Sequence, residues 1–485
     1  MAILTVGVAL AGFWHLDRTG IWNDEAATWA ISGHSLNDLV HTLRSSGGDR
    51  GAALYYLLEF GWLRVFGTSE FAMRSLSVVA AAGTMVPFHA VARRLLERPA
   101  AVAAGALLAS SVFYLTYARE ARAYALAMLL VVLAAWTFLR AFASDTTREW
   151  WIFTAVALLA LYTHWFSALV VLSFFLALRW TCSEASRRRH VLGSAAALAL
   201  GMVPVAGLVL SGSNSGVDWI ADLNAAELRQ TAAAFTGSTD VASQLVVLVV
   251  VGIGLGAAWR HRRRAGAPPL ALTWFVVPVA LTVLVSIVKP LLVPRYLIIA
   301  LPGLALLLGL GAYQLGRRRL LAVAAVTVAL IALGASGYDR VWSGKGAEDW
   351  QAITATVARR AGARDAIIVF PATSAYAFSY YARHDARLSD RTGTDWPPRR
   401  WDAPFDRRIP NAAVLASPAL RSRGAVWLVI RAPRGSTVTK AVSDSPVLAE
   451  LQRRLARRFA VVDEIAPWSH HDTVYVVRYS GPTTP

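Results

Sequence analysis

The feature that most limits what this chain can become is a recurrence of apolar runs of about membrane-spanning length. They fall at approximately 2–16, 70–92, 99–117, 122–142, 150–165, 166–182, 191–210, 241–259, 270–288, 293–316 and 320–337. A helix needs about 20 mainly apolar residues to cross a hydrocarbon core, so the runs predict about eleven transmembrane helices. The linkers alternate in character. Arg93, Arg94 and Arg98, then Arg140 and Arg148, then Arg187, Arg188 and Arg189, then Arg260, Arg262, Arg263 and Arg264, then Arg317, Arg318 and Arg319 all fall on one side. The positive-inside rule makes that side cytoplasmic and puts the N-terminus there as well. The other side receives the segment after the first run, the turns 117–124, 163–166 and 288–296, the loop 211–240, and everything after Tyr338.

Composition agrees with this and removes other classes. The 485 residues are 56% hydrophobic and 16% charged, with a mean hydropathy of +0.47, outside the range of ordinary soluble domains. The net charge of +18 does not point to nucleic acid, because many of its arginines sit in short clusters between apolar runs and set orientation. Cys182 is the sole cysteine, which excludes an intrachain disulfide and a cysteine-cluster metal site. Lysine occurs only at Lys289, Lys345 and Lys440, a bias that suits a GC-rich bacterial genome. The first run is short and lacks a small-residue cleavage site, so it reads as a retained helix rather than a signal peptide, with its start open to truncation.

Two segments break the apolar pattern. Between the first two runs lies a polar stretch, Asp17 to Tyr56, carrying Asp24, Glu25, Asp38 and Asp49. Trp22, Trp29, Leu36, Leu39, Val40 and Leu43 recur within it at helix-like spacing. The stretch is therefore expected to be ordered and amphipathic at the membrane surface, within an outer loop spanning 17–69. After 337 the pattern becomes helix, strand Ala366 to Phe370, helix, strand 424–433, helix 445–459 and strand 472–480. This predicts a transmembrane domain over 1–337 and an extracytoplasmic α/β domain over 338–485.

Asp24 and Glu25 follow Trp22 directly outside the first run. Carboxylates beside a low-dielectric layer suit a general base or metal ligand. Capping is the equal alternative: Asn23 or Asp24 could start a helix, and acids in a first turn suit its dipole. Asp49, after paired glycines, reads more readily as an N-cap. Glu120, Arg122 and Tyr124 stand at the mouth of a helix in YAREARAY, where charge is costly and defaults to function, or to an ion pair that stitches two helix ends. His164, between Tyr162 and Trp165, suits a metal ligand, an acid–base group or a satisfied interfacial histidine. Lys289 and Arg295, beside Tyr296, flank Pro290 and Pro294 on the outer side. Such cations recognise phosphate or reach lipid headgroups. Carboxylates and cations gathered at one leaflet suit a reaction on a lipid-linked phosphate.

The ordered set DEA at 24–26, the D…LYYLL…W…FGTSEFAMRSLSV pattern at 49–78, YAREARAYAL at 117–126, YTHWF at 162–166, PRYLIIALPGLALL at 294–307 and DWQAI at 349–353 resembles the membrane-embedded GT-C glycosyltransferases. The likeness is to bacterial members of glycosyltransferase family 39, related to protein O-mannosyltransferases and aminoarabinose transferases. The resemblance implies transfer of mannose, or a related pentose or hexose, from a polyprenyl-phosphate donor to a glycan, lipid or protein acceptor at the outer face of a bacterial plasma membrane. It implies Asp24 as the catalytic aspartate accompanied by Glu25, Asp49 as the second acidic position, Glu120 with Arg122 in a second outer motif, and Arg295 near the donor phosphate. Many relatives carry His-Pro-Pro before Leu-Tyr-Tyr, where this chain has Arg50-Gly51-Ala52-Ala53. A single positioned base suits inversion at the anomeric carbon. A divalent metal at Asp49, Glu120 or His164 is open, although no ligand spacing demonstrates one. The competing class is a transporter or lipid flippase, which would place polar or glycine-broken helices near the midplane.

Overall fold

The computed structural model describes residues 1–45, 49–180, 185–210, 220–260, 269–317, 319–342, 348–389, 395–397, 411–432, 437–469 and 473–481. Arg262, Arg263, Arg264 and Arg318, residues 211–219 of the loop 211–240 and much of 389–420 lie outside the described residues. In chain order the first helices are α1 (Ala2–Phe13), α2 (Asn23–Ser32), α3 (Leu36–Ser45), α4 (Ala53–Phe66), α5 (Glu70–Leu95), α6 (Arg98–Ala109), α7 (Val112–Ala118) and α8 (Tyr124–Ser144). Next come α9 (Thr147–Thr163), α10 (Ser167–Ala177), α11 (Ala185–Leu210), α12 (Ala225–Thr236), α13 (Val241–Arg260), α14 (Leu270–Ser286), α15 (Leu301–Leu315) and α16 (Leu320–Leu333). The chain closes with α17 (Tyr338–Trp342), α18 (Trp350–Arg360), α19 (Ala375–Ala382), α20 (Ala386–Ser389), α21 (Val438–Ser443) and α22 (Pro446–Ala456), interleaved with four strands. It forms two compact units. One comprises Met1–Leu16, Gly47–Glu59 and Arg74–Val341; the other comprises Asp17–Ser46, Phe60–Met73 and Trp342–Pro485.

The first unit is helical because its spans are made mainly of apolar and small residues, and a helix is one of only two ways to satisfy backbone groups in lipid. Each apolar run in the sequence contains a helix. Among the described residues, five segments are long and apolar enough to cross a bilayer: Glu70–Leu95, Tyr124–Ser144, Val241–Arg260, Pro294–Leu315 and Leu320–Gly337. A sixth arises if α6 and α7 are one span bent by 53°. The chain is a polytopic membrane protein. The α6–α7 bend sits where Ser110 Oγ donates back to the Ala106 carbonyl at 2.7 Å and Ser111 Oγ caps the Tyr114 N–H at 3.4 Å. Both serines offer the backbone an alternative to continued helix.

Glycines let α15 lie against three neighbours. A β-carbon at Gly303 would stand 2.7 Å from the Phe275 nitrogen on α14, one at Gly309 2.5 Å from the Ala100 carbonyl oxygen on α6, and one at Gly311 2.4 Å from the Val250 carbonyl oxygen on α13. Small residues at such crossings bring backbones close, which is how membrane helices gain packing without a hydrophobic drive between them. At one end of the bundle, Asp145 accepts from the Trp150 indole (3.3 Å) and pairs with His190 (3.1 Å), while Arg140 pairs with Glu149 at 2.7 Å. Arg140, and Arg187 at 3.9 Å from Asp145, thus fasten α8, α9 and α11 besides being expected to set orientation.

The second unit contains a four-stranded sheet in the order β1-β2-β4-β3. β1 (Ala366–Phe370) runs parallel to β2 (Val426–Ala432); β4 (Thr473–Ser480) is antiparallel to both β2 and β3 (Ala460–Ser469). All five residues of β1 are buried, as expected of a strand covered on both faces. Leu448, Leu451 and Leu455 of α22 join Ile368, Leu428, Ile430 and Val477 in one core. Asp365 ties the turn before β1 to β2, accepting from the Gly362 and Ala425 N–H groups and the Trp427 indole, each at 2.9 Å. The strands predicted at Ala366–Phe370, 424–433 and 472–480 are present. β3 was not among the expected strands; it is an edge strand whose ladder shifts register twice.

Candidate functional site

Within the second unit, α2 carries Asp24 and Glu25 in its first turn. The helix begins at Asn23 with Trp22 as its N-cap. The N–H groups that lead into a helix need partners from outside its own ladder, and three successive ones are met here by side chains. Ile21 N–H donates to Tyr381 Oη (2.7 Å), Trp22 N–H to Glu25 Oε2 (3.4 Å), and Asn23 N–H to Glu348 Oε2 (3.2 Å). An indole has no acceptor to offer, so the reciprocal half of a capping box is missing and Glu25 supplies only its own half. Glu25 is 1% exposed, whereas Asp24 is half-buried. The capping role open to Asp24 in the sequence is therefore filled by Glu25 and Glu348.

Other contacts in the same unit hold α2 on its far side. Tyr380 Oη donates to the Thr68 carbonyl at 2.8 Å, and the Tyr380 ring meets Trp29 edge-on at 5.5 Å. The Arg383 guanidinium lies 4.3 Å from the Trp29 ring centre and 4.1 Å from that of Tyr380. Burial lowers the Arg383 pKa. Tyr376 and Tyr380 of α19 are buried and serve packing.

In the first unit the turn joining α7 to α8 divides its two arginines between different tasks. Arg119 reaches back to the end of α1, donating to the carbonyls of Ala11 (3.1 Å), Gly12 (2.8 Å), Trp14 (2.6 Å) and His15 (3.0 Å). Arg122 points elsewhere: its Nη1 donates to Tyr56 Oη at 3.3 Å, and its carbonyl accepts from Ser77 Oγ at 3.3 Å. Arg122 and Arg295 both act electrostatically on His164. His164 sits in the extended break between α9 and α10, 7% exposed. Its ring lies 5.7 Å from Tyr124, 5.8 Å from Phe166 and 5.5 Å from Tyr296, and the Arg295 guanidinium stands 5.8 Å from the Tyr296 ring. Burial first, then Arg122 and Arg295, push the His164 pKa down to about 3, so the imidazole is neutral at physiological pH. Two guanidinium groups beside a neutral imidazole and tyrosine rings make a place for an anion.

The structure therefore brings together Arg122, Tyr124, His164, Arg295 and Tyr296. Glu120 is half-buried in the same turn as Arg122. Asp24 and Glu25 belong to the other unit. Lys289 is exposed just beyond α14, next to Ile287 and Val288, which are 67% and 90% exposed; that setting suits contact with lipid headgroups. Asp49 opens a 3-10 turn, Asp49–Ala52, and its side chain lies outside the described residues. Among the described residues no three His, Cys, Asp or Glu side chains converge as a metal requires. Among the described contacts of His164 are two cations and three aromatic rings. Sequence reasoning passed over Tyr56, although it lies in the LYYLL pattern, and Glu348, one residue before the DWQAI run. Neither has a local signal, because each acts on a partner far away in the chain.

Residues 49–207, about a third of the chain, match the family model described as dolichyl-phosphate-mannose-protein mannosyltransferase. No curated protein matches the sequence. Among solved structures the chain is similar to ArnT from Cupriavidus metallidurans in the apo state, at 14% identity over 98% of this chain and 97% of that one, with a TM-score of 0.58. Against the same protein bound to undecaprenyl phosphate the values are 13%, 98%, 97% and 0.55. It is also similar to the archaeal oligosaccharyltransferase AglB from Archaeoglobus fulgidus in complex with an inhibitory peptide and a dolichol-phosphate, at 9% identity over 98% of this chain and 74% of that one, TM-score 0.56. At such identities the fold is what is shared. The chain has the fold of the GT-C membrane glycosyltransferases, as the resemblance in its sequence implied.

Proposed function

We propose that this GT-C chain is a glycosyltransferase that moves a sugar, mannose or a related pentose or hexose, from a polyprenyl-phosphate donor to an acceptor hydroxyl at the outer face of the plasma membrane. The observation that carries the reading is the placement of Arg122 and Arg295 about a buried, neutral His164, on a fold shared with a protein solved with undecaprenyl phosphate bound. In the reaction the acceptor oxygen bonds to the anomeric carbon as the bond from that carbon to the phosphate oxygen breaks. Asp24 takes the acceptor's proton, and the electron pair leaves with the polyprenyl phosphate, whose charge Arg122 and Arg295 neutralise. One displacement by an external acceptor inverts the anomeric centre. General-base assistance supplies about 10²–10⁴ in rate, and positioning and charge neutralisation supply the remainder. Glu25, committed to capping, supports the helix rather than the chemistry, and Lys289 anchors the lipid surface.

The test is incubation of the purified protein with a panel of polyprenyl-phosphate sugars, followed by detection of released polyprenyl phosphate. Asp24→Asn is expected to insert and bind donor yet release none. Full release by that variant would remove Asp24 as the base, and no release from any donor by the unaltered protein would set aside the reaction itself.

A further inference from the structure

The geometry points to Glu348 as a positioning residue for Asp24: a buried carboxylate, 325 residues downstream of Asn23, that holds the first turn of α2 in its working place. The inference rests on the reading of Asp24 as the base. Glu348 is 1% exposed and fully engaged. Its Oε2 accepts from the Asn23 N–H at 3.2 Å and from the Trp350 indole at 2.5 Å, while its Oε1 pairs with Arg431 Nε at 2.6 Å. Asn23 is the first residue of α2 and Asp24 the second, so the carboxylate grips the backbone one peptide away from the proposed base.

A structural staple alone is a poor account of this arrangement. Burying an ion pair seldom adds net stability over well-packed apolar residues, and the better-attested use of such a pair is to fix one geometry among competing ones. Here Arg431, on β2, compensates the carboxylate while leaving Oε2 for a helix N-terminus, where negative charge also favours the helix dipole. A second contact points the same way. Tyr381 Oη accepts the Ile21 N–H at 2.7 Å and donates to Glu70 Oε1 at 3.1 Å. Residue 20 must be small for this, since a β-carbon on Gly20 would stand 2.8 Å from that hydroxyl oxygen. The backbone entering α2 is thus held from α19 and from Glu348, just ahead of α18, so the C-terminal part of the chain sets where Asp24 sits.

The decisive variant is Asn23→Pro in the full-length protein. Proline is favoured at the first helical position and removes only the N–H that Glu348 accepts. Trp22, at φ −95° and ψ 174°, already has the extended backbone a following proline demands. Asn23→Ala, which keeps the N–H, is the control. The expected result is a fall in kcat of about tenfold or more for Asn23→Pro relative to Asn23→Ala, with donor KM within about twofold, as for loss of orientation at the reacting group. Glu348→Ala is expected to show the same split, and it decides the matter if the proline variant does not fold. Trp350→Phe removes a different partner of the same carboxylate, and is expected to lower the melting temperature while keeping kcat. Equal kcat in Asn23→Pro and Asn23→Ala would overturn the inference, as would a loss of kcat in Trp350→Phe matching that in Glu348→Ala. Activity in Asp24→Asn would sink the parent reading instead, so the two failures are separable.

Discussion

Arg119 offers the most direct test of how the first unit is assembled. α1 is a 12-residue helix with only Val8 and Gly12 buried, too short and too lightly packed to hold its place by propensity. Its C-terminus has carbonyls with no intrahelical partner. The Leu10 carbonyl is met by Trp14 N–H and that of Phe13 by Leu16 N–H. The Ala11 and Gly12 carbonyls fall to Arg119. Burial, then Arg74, lowers the Arg119 pKa to about 10, so it remains charged at neutral pH. Hydrogen bonds to a charged group contribute about 1.5–3 kcal/mol each, and the two to helix carbonyls sum to about 3–6 kcal/mol. The guanidinium is partly exposed, so the lower end, about 3 kcal/mol, is the reasonable expectation. In Arg119→Gln the last turn of α1 should then open about a hundredfold more often. Hydrogen exchange on the peptide covering residues 8–16, read by mass spectrometry on the protein in nanodiscs, measures that opening. Arg119→Lys keeps the charge but not the fork and is expected to lose about half of the free energy, an opening raised about tenfold. Unchanged exchange in Arg119→Gln, accompanied by weaker donor binding, would mean that the side chain serves the donor and not α1.

Three further outcomes follow from distances and charges. Gly309→Ala would place a methyl 2.5 Å from the Ala100 carbonyl oxygen and 2.8 Å from the Ala104 β-carbon, so it should cost about 1–3 kcal/mol through overpacking, visible as a lower thermal midpoint in detergent. Arg122→Gln removes one of two cations beside His164 and should weaken binding of polyprenyl phosphate about 10–100-fold; unchanged affinity would take Arg122 out of the phosphate site. His164 has a pKa of about 3 in the fold against 6.5 when unperturbed. The unfolded chain therefore takes up the proton first, and the stability this residue confers is complete above pH 6.5 and declines as pH falls toward 3. Unfolding scans at pH 7 and pH 4 should differ more for the parent than for His164→Phe, and equal differences would place the acid sensitivity elsewhere.

The spans were legible because apolar composition and periodicity are local properties. The break at His164 was legible because Thr163, His164 and Trp165 interrupt an apolar run. The bend between α6 and α7 was not: Ser110 and Ser111 look like two small residues within a span, and only packing decides that their hydroxyls compete with the helix. β1, β2 and β4 were read from their Val/Ile-rich runs, but β3 contains Asp463, Glu464 and Pro467, which suit an edge and hide it from pattern reading. The long-range contacts within each unit were closed to sequence reasoning. Asn23 meets Glu348 over 325 positions and Ile21 meets Tyr381 over 360, and Arg119 acts on main-chain carbonyls, which carry no residue identity. Charges in YAREARAY could be seen, but their division of labour could not.

What separates the two roles the sequence left open to Asp24 is a substitution that treats them differently. Asparagine caps a helix about as well as aspartate, whereas alanine costs about 1 kcal/mol. If Asp24 acted as a cap, Asp24→Asn would retain activity and stability, and Asp24→Ala would lose stability first. If it is the base, both variants lose turnover alike, because neither side chain accepts a proton. Glu25 and Glu348 already take the Trp22 and Asn23 N–H groups, so the two substitutions at Asp24 can be read without those caps changing. Turnover and melting temperature measured on the same two preparations decide it. Wild-type turnover in Asp24→Asn, with a lower melting temperature in Asp24→Ala alone, would return Asp24 to the caps.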